Sequence, residues 1–84
     1  MQPKVLDVKP LANYRVLITF DSGERKVFNV TPYICGDWFG KLKNTNFFNT
    51  VRAAGRTIQW VGGQDIAPHE LYDYSEPYCD VYHV

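Results

Sequence analysis

The sequence is poor in cysteine, has no long apolar run, and carries no Lys or Arg in its last quarter. Cys35 and Cys79 are too few for a disulfide scaffold, and their spacing fits no zinc signature. The N-terminal stretch MQPKVLDVKP lacks the charged start and apolar core of an export signal. No apolar run approaches the roughly 18 residues that a membrane-spanning helix requires. These absences exclude a helical membrane span and predict a cytoplasmic chain whose two thiols stay reduced.

A basic excess is missing too. Nine Lys and Arg stand against nine Asp and Glu, so the formal net charge is zero. Strong nucleic-acid binders show a clear basic footprint, so direct nucleic-acid binding is disfavoured. The total hides a division. Residues 1–63 hold all nine cations and four acids, a net +5; residues 64–84 hold five acids and no Lys or Arg, a net −5. Such polarity predicts a contact between the acidic end and a basic surface, on this chain or on a partner.

What the sequence does have is apolar and aromatic content. At 84 residues, with 45% hydrophobic and 15% aromatic residues, it makes one ordered domain in which Tyr, Phe and Trp carry much of the core. KVLDVKPL, residues 4–11, alternates and reads as a strand with Leu6 and Val8 on one face. YRVLITF, residues 14–20, is the strongest strand, with Tyr14, Val16, Ile18 and Phe20 on one face and Arg15, Leu17 and Thr19 on the other. Asp21-Ser22-Gly23 then supplies turn chemistry, and ERKVFNV returns with Phe28 and Val30 facing in. The result is a β-meander.

Thr31-Pro32 opens a short helical turn that Gly36 stops. Trp38, Phe39 and Leu42 cover the core from the following connection. Asn44 or Thr45 caps a helix over residues 45–54, with Phe47, Val51 and Ala54 on one side and Gly55 at its end. RTIQWV, residues 56–61, is a fourth strand with Ile58 and Trp60 inward, Asp65-Ile66 a short fifth, and Pro68 the start of a last helical turn.

These segments, in this order, resemble a known bacterial family. YRVLITFDSGERKVFNVTPYI followed by TIQWVGGQDIAPHELY is similar to the family catalogued as domain of unknown function 2442, through Phe20 to Gly23, Asn29 to Pro32, Leu42 to Val51, and Ile58 to Tyr72. The resemblance covers roughly residues 4–73 and implies a small α+β domain with an antiparallel sheet. It further implies company: some members carry an added helix-turn-helix domain, and others are suspected members of toxin–antitoxin-like pairs. Here no helix-turn-helix segment follows residue 73.

The expected fold is thus α+β, with a small antiparallel sheet of about three to five strands and one main helix. Residues 1–73 form the domain, and 74–84 an acidic, aromatic tail that adds as an edge strand, to its own sheet or to a second copy's. The stretch GGQDIAPHELY, residues 62–72, looks most like a site, but Asp65, His69 and Glu70 show no nucleophile–base–orienter set. Its expected role is closure of the fold. Asp65 accepts from the backbone of the turn it begins, and His69 and Glu70 point outward. Cys79, Asp80, His83 and His69 are ligand types without ligand spacing, and Cys35 reads as a small buried residue.

No catalytic residue, cofactor or metal is therefore expected. Arg15, Arg25, Arg52, Arg56, Trp38, Tyr78 and Tyr82 are the candidate partner-binding residues. The expected partner is another protein or a second copy bound through the tail or a sheet edge. The function classes, in order, are an interaction module, a regulator that reaches nucleic acid through a partner, and a small hydrolase.

Overall fold

The computed structural model of the chain describes residues 2–78. The turn at Asp21-Ser22-Gly23 sets the frame. Strands β2 (Arg15–Phe20) and β3 (Arg25–Asn29) pair antiparallel around it, Val16 opposite Phe28 and Arg15 opposite Asn29. Gly23 takes a φ of 91°, and its N–H donates to the Phe20 carbonyl at 3.0 Å. Strand β1 (Val5–Leu11) joins the other side of β2 through a turn in which Asn13 and Tyr14 hold φ of 62° and 58°.

Alternation alone puts Leu6 beside Val8 in the core, and this is corrected. Leu6 is 65% exposed, whereas Val5 and Val8 are buried. A register shift between Val5 and Asp7, a β-bulge, reverses the phase of the strand, since one extra residue moves every following side chain to the other face. In β2 and β3 the expected phase holds: Val16, Ile18, Phe20, Phe28 and Val30 are buried on one face.

A second correction concerns residues 45–54. Helix α2 is a single turn, Thr45–Phe48, capped by Asn44 Oδ1, which accepts from the N–H groups of Asn46 at 2.9 Å and Phe47 at 3.3 Å. Thr50 Oγ1 donates back to the Phe47 carbonyl at 2.6 Å, and β-branched Thr50 and Val51 favour leaving the helix. Arg52–Ala54 is strand β4, paired antiparallel with β5 (Thr57–Gln59) as a separate small sheet. Gly55, at a φ of 65°, turns this hairpin instead of ending a helix. The exchange changes which ring is buried: Phe48 is 2% exposed, and Phe47 lies partly buried at the edge of the core.

The apolar sheet face is therefore covered by short pieces. Leu42 follows α1 (Gly36–Phe39), and with Phe48, Ile58, Trp60, Ile66 and Leu71 it completes the core. Gly36 begins α1 and does not stop the turn before it. Trp60 Nε1 donates to the Phe48 carbonyl at 2.9 Å, so the largest buried side chain leaves no polar atom wanting. Trp38, expected over the core, is 51% exposed; Phe39 and Leu42 take that place. The last helix, α3 (Pro68–Tyr74), starts on Pro68 as expected and buries Leu71.

Beyond α3 the chain returns to the sheet. Strand β6 (Glu76–Pro77) lies antiparallel to β3, Glu76 opposite Val27, giving the order β1-β2-β3-β6. The Tyr78 N–H donates to the Arg25 carbonyl at 2.8 Å. Residues 76–78 thus lie on the chain's own β3. Cys79, Asp80, Tyr82 and His83 lie outside the described residues.

Candidate functional site

The sheet has a second face. Because side chains alternate along a strand, Arg15, Leu17 and Thr19 of β2 point away from the core, level with Asn29, Val27 and Arg25 of β3. The register adds Lys9 and Leu11 of β1 on one side and Glu76 of β6 on the other. Leu17 is only 8% exposed although it lies on this outer face, so its neighbours' side chains enclose it. Three expected partner-binding residues share this face, with Arg15 at one end and Arg25 and Tyr78 together at the other. Arg15 and Arg25 lie on adjacent strands, and the Arg25 guanidinium stands 4.9 Å from the centre of the Tyr78 ring.

At one end this face opens into a cleft of about 190 Å³ lined by Arg15, Val27, Asn29, Tyr74 and Glu76. Val27 is its apolar floor, and Tyr74, 69% exposed, is its wall. Asn29 Oδ1 accepts from the Thr31 N–H at 3.1 Å, which leaves Nδ2 as the free donor of that amide.

The other expected residues lie elsewhere. Arg52 donates to Gln59 Oε1 at 3.2 Å across the β4–β5 hairpin. Arg56 Nε donates to the Gln2 carbonyl at 3.1 Å and so ties the N-terminal residues down. Trp38 Nε1 donates to the Gly62 carbonyl at 3.3 Å, away from the outer sheet face. Tyr82 lies outside the described residues. Sequence reading passed over Asn29, Tyr74 and Glu76. A hairpin centred on Ser22 could have placed Asn29 opposite Arg15; the alternating tail signals an edge strand, but not that Tyr74 and Glu76 come to lie beside Arg15 and Asn29.

The stretch 62–72 is a closing device. The Trp60 N–H donates to the Gln64 carbonyl at 2.8 Å and the Gly63 N–H to the Trp60 carbonyl at 2.9 Å, so Gly62 and Gly63 form a turn. Gln64 is fully buried, and its Nε2 donates to the Trp38 carbonyl at 2.8 Å. Asp65 does not serve the helix start: the residue before α3, Ala67, provides no side-chain cap, and Asp65 bridges Gln59 through its backbone. Glu70 does not point outward, because its Oε1 accepts from Tyr33 Oη at 2.6 Å. Burial and this bond to Glu70 push the Tyr33 phenol up to about 12. His69 is exposed, as is Cys35, which was expected to be buried.

A second tyrosine holds the other side of α3. Tyr72 Oη donates to Glu24 Oε1 at 2.6 Å, and that bond raises its pKa. Lys26 Nζ sits 3.9 Å from the centre of the Tyr72 ring and donates to the Tyr72 carbonyl at 2.7 Å, placing a cation at the helix C-terminus. Among the described residues no group of three or more His, Cys, Asp or Glu is placed to hold a metal ion, and no helix is long and apolar enough to cross a membrane.

Comparison with known proteins gives one assignment. No curated protein and no solved structure matches the chain. A family model does, over residues 5–77, which takes in both sheets, α3 and β6. The fold and that match agree, and the chain belongs to the family described as Protein of unknown function (DUF2442).

Proposed function

We propose that the chain is a non-enzymatic, cytoplasmic interaction module whose partner is a protein bound on the outer face of the four-stranded sheet. The observation that carries this reading is that one face, opposite the core, holds Arg15 with Val27 and Tyr74 at one end, Arg25 with Tyr78 at the other, and Leu17 between them. Interfaces favour this mixture: arginines and tyrosines around a small apolar centre. The family resemblance to toxin–antitoxin-like or regulatory pairs supports a dedicated protein partner. Pro77 has no N–H to offer at the outer edge of β6, which favours side-chain docking on the face over strand addition at that edge.

The test is quantitative capture from the native host with tagged full-length chain. Wild type retains a defined protein, Val27→Lys on the outer face loses it, and Leu6→Lys away from the cleft keeps it. Equal retention by both variants would remove the face from the reading. A salt-dependent gel shift by the purified chain alone would favour a direct nucleic-acid role instead.

A further inference from the structure

We infer that the cleft beside β3 is a carboxylate receptor, and that it takes an Asp or Glu side chain from an extended acidic segment of the partner protein; this rests on the outer-face reading above. Three donors converge on it. The Arg15 side chain makes no hydrogen bond or ion pair with another described residue, so its guanidinium fork is available to a carboxylate. Asn29, which lines the cleft, has its oxygen engaged by the Thr31 N–H, so the NH₂ is the group its amide has left to offer. Tyr74 adds a phenolic hydroxyl on a largely exposed ring.

Val27 between these groups gives the methylenes of a bound Asp or Glu an apolar seat. The fourth polar group, Glu76, sets the selectivity. A carboxylate on the cleft wall repels a second negative charge, so the site tolerates a singly charged acid better than a doubly charged phosphate. It also supplies a place for a cation or N–H donor next to the bound acid, which suits a peptide more than a free inorganic anion. Arg15, Asn29 and Glu76 stand on three neighbouring strands, β2, β3 and β6, so the cleft lies open on the sheet surface, where an extended segment can reach it with a side chain.

The experiment is an NMR titration of isotope-labelled full-length chain with a blocked peptide, acetyl-Val-Asp-Val-Glu-Val-amide. Its controls are the Asn/Gln version of that peptide, inorganic phosphate and sodium acetate. The expected result is a saturable shift of the Arg15 Nε–H and Asn29 NH₂ signals with the acidic peptide, and binding roughly tenfold or more weaker for the neutral one. Arg15→Gln lowers the affinity for the acidic peptide by a similar factor. Glu76→Gln raises it, about twofold to fivefold, because a competing negative charge is gone. A merely structural Glu76 would not give that change of sign.

Equal binding of the acidic and neutral peptides overturns the inference, as does weaker binding by Glu76→Gln or the absence of any shift at Arg15 and Asn29. Phosphate bound more tightly than the peptide overturns it too, and makes the cleft an anion site of another kind. Backbone amide spectra of both variants that match wild type exclude misfolding as the cause. If host capture depends on Val27 while Arg15→Gln leaves it unchanged, the outer-face reading stands and the carboxylate receptor falls.

Discussion

At the scale of single residues, one position in the sequence decides which aromatic ring is core. Phe48, 2% exposed and in contact with Tyr14 and Trp60, fills the space that a longer helix would have given to Phe47. Phe48→Ala should therefore cost about 3–5 kcal/mol, the range for emptying a buried aromatic site. Phe47→Ala should cost roughly 1–2 kcal/mol, as its ring is only partly removed from water. Urea denaturation midpoints of the two variants check the order, and the reverse order would restore the longer helix. Gly62 offers a second residue-level test. A Cβ there would stand 2.6 Å from Gln64 Oε1 and 2.9 Å from Phe47 Cζ, and Gln64 cannot yield without straining its bond to the Trp38 carbonyl. Gly62→Ala should destabilise by about 1–3 kcal/mol, the usual cost of overpacking. Gly40→Ala, with open space around it, serves as the control in the same melts.

At the scale of elements, α3 is a seven-residue helix fixed to the fold by two tyrosine–glutamate hydrogen bonds and Leu71. Such a helix has little stability of its own and depends on these ties. The Tyr33–Glu70 bond requires a protonated phenol. In the folded chain the Tyr33 pKa is raised to about 12 from an ordinary 10.0, so its contribution is fully present below about pH 10 and is lost as pH rises toward 12. Melting temperature should fall across that window. Tyr33→Phe should melt lower than wild type at pH 8 and lose less between pH 10 and pH 12; parallel pH curves would show that the bond contributes nothing. Helix α2 is tied at its start by Asn44, whose oxygen takes two backbone donors. Asn44→Ala should cost about 1 kcal/mol, and Asn44→Asp should retain most of the stability, by thermal denaturation.

At the scale of the whole molecule, the return of the chain to β3 decides how the acidic end is used. β6 and the Tyr78 N–H cover part of the β3 edge, and Tyr74 and Glu76 complete the cleft on the outer face. A chain ended at Tyr74 should melt several degrees lower, about 4–8 °C for each kcal/mol lost in a domain of this size. Light scattering at several concentrations should give both lengths the mass of one chain. A mass for the full-length chain that halves on truncation would mean that the end crosses to a second copy instead.

The sequence by itself determined the local parts. The meander, the Gly23 turn, the inward faces of β2 and β3, a helix cap at Asn44 or Thr45 (Asn44 in the fold), the Pro68 helix start and the burial of Ile58 and Trp60 follow from side-chain period, turn chemistry and caps, all read within a few residues. Arg15 and Asn29 were within reach of the same logic, because a hairpin about Ser22 fixes their pairing. The tertiary structure alone decided the rest. A bulge at Val5–Asp7 is set by what β1 packs against, and Leu6 and Val5 are equally apolar. Residues 52–54 carry helix-compatible Ala and Arg, and only pairing with Thr57–Gln59 makes them a strand, since backbone groups there find their partners across the turn. The cleft joins Arg15 to Tyr74 and Glu76, roughly sixty positions later, and nothing in either segment encodes that distance. It comes from the core, where burying Ile66 and Leu71 against the sheet brings the chain's end back along β3.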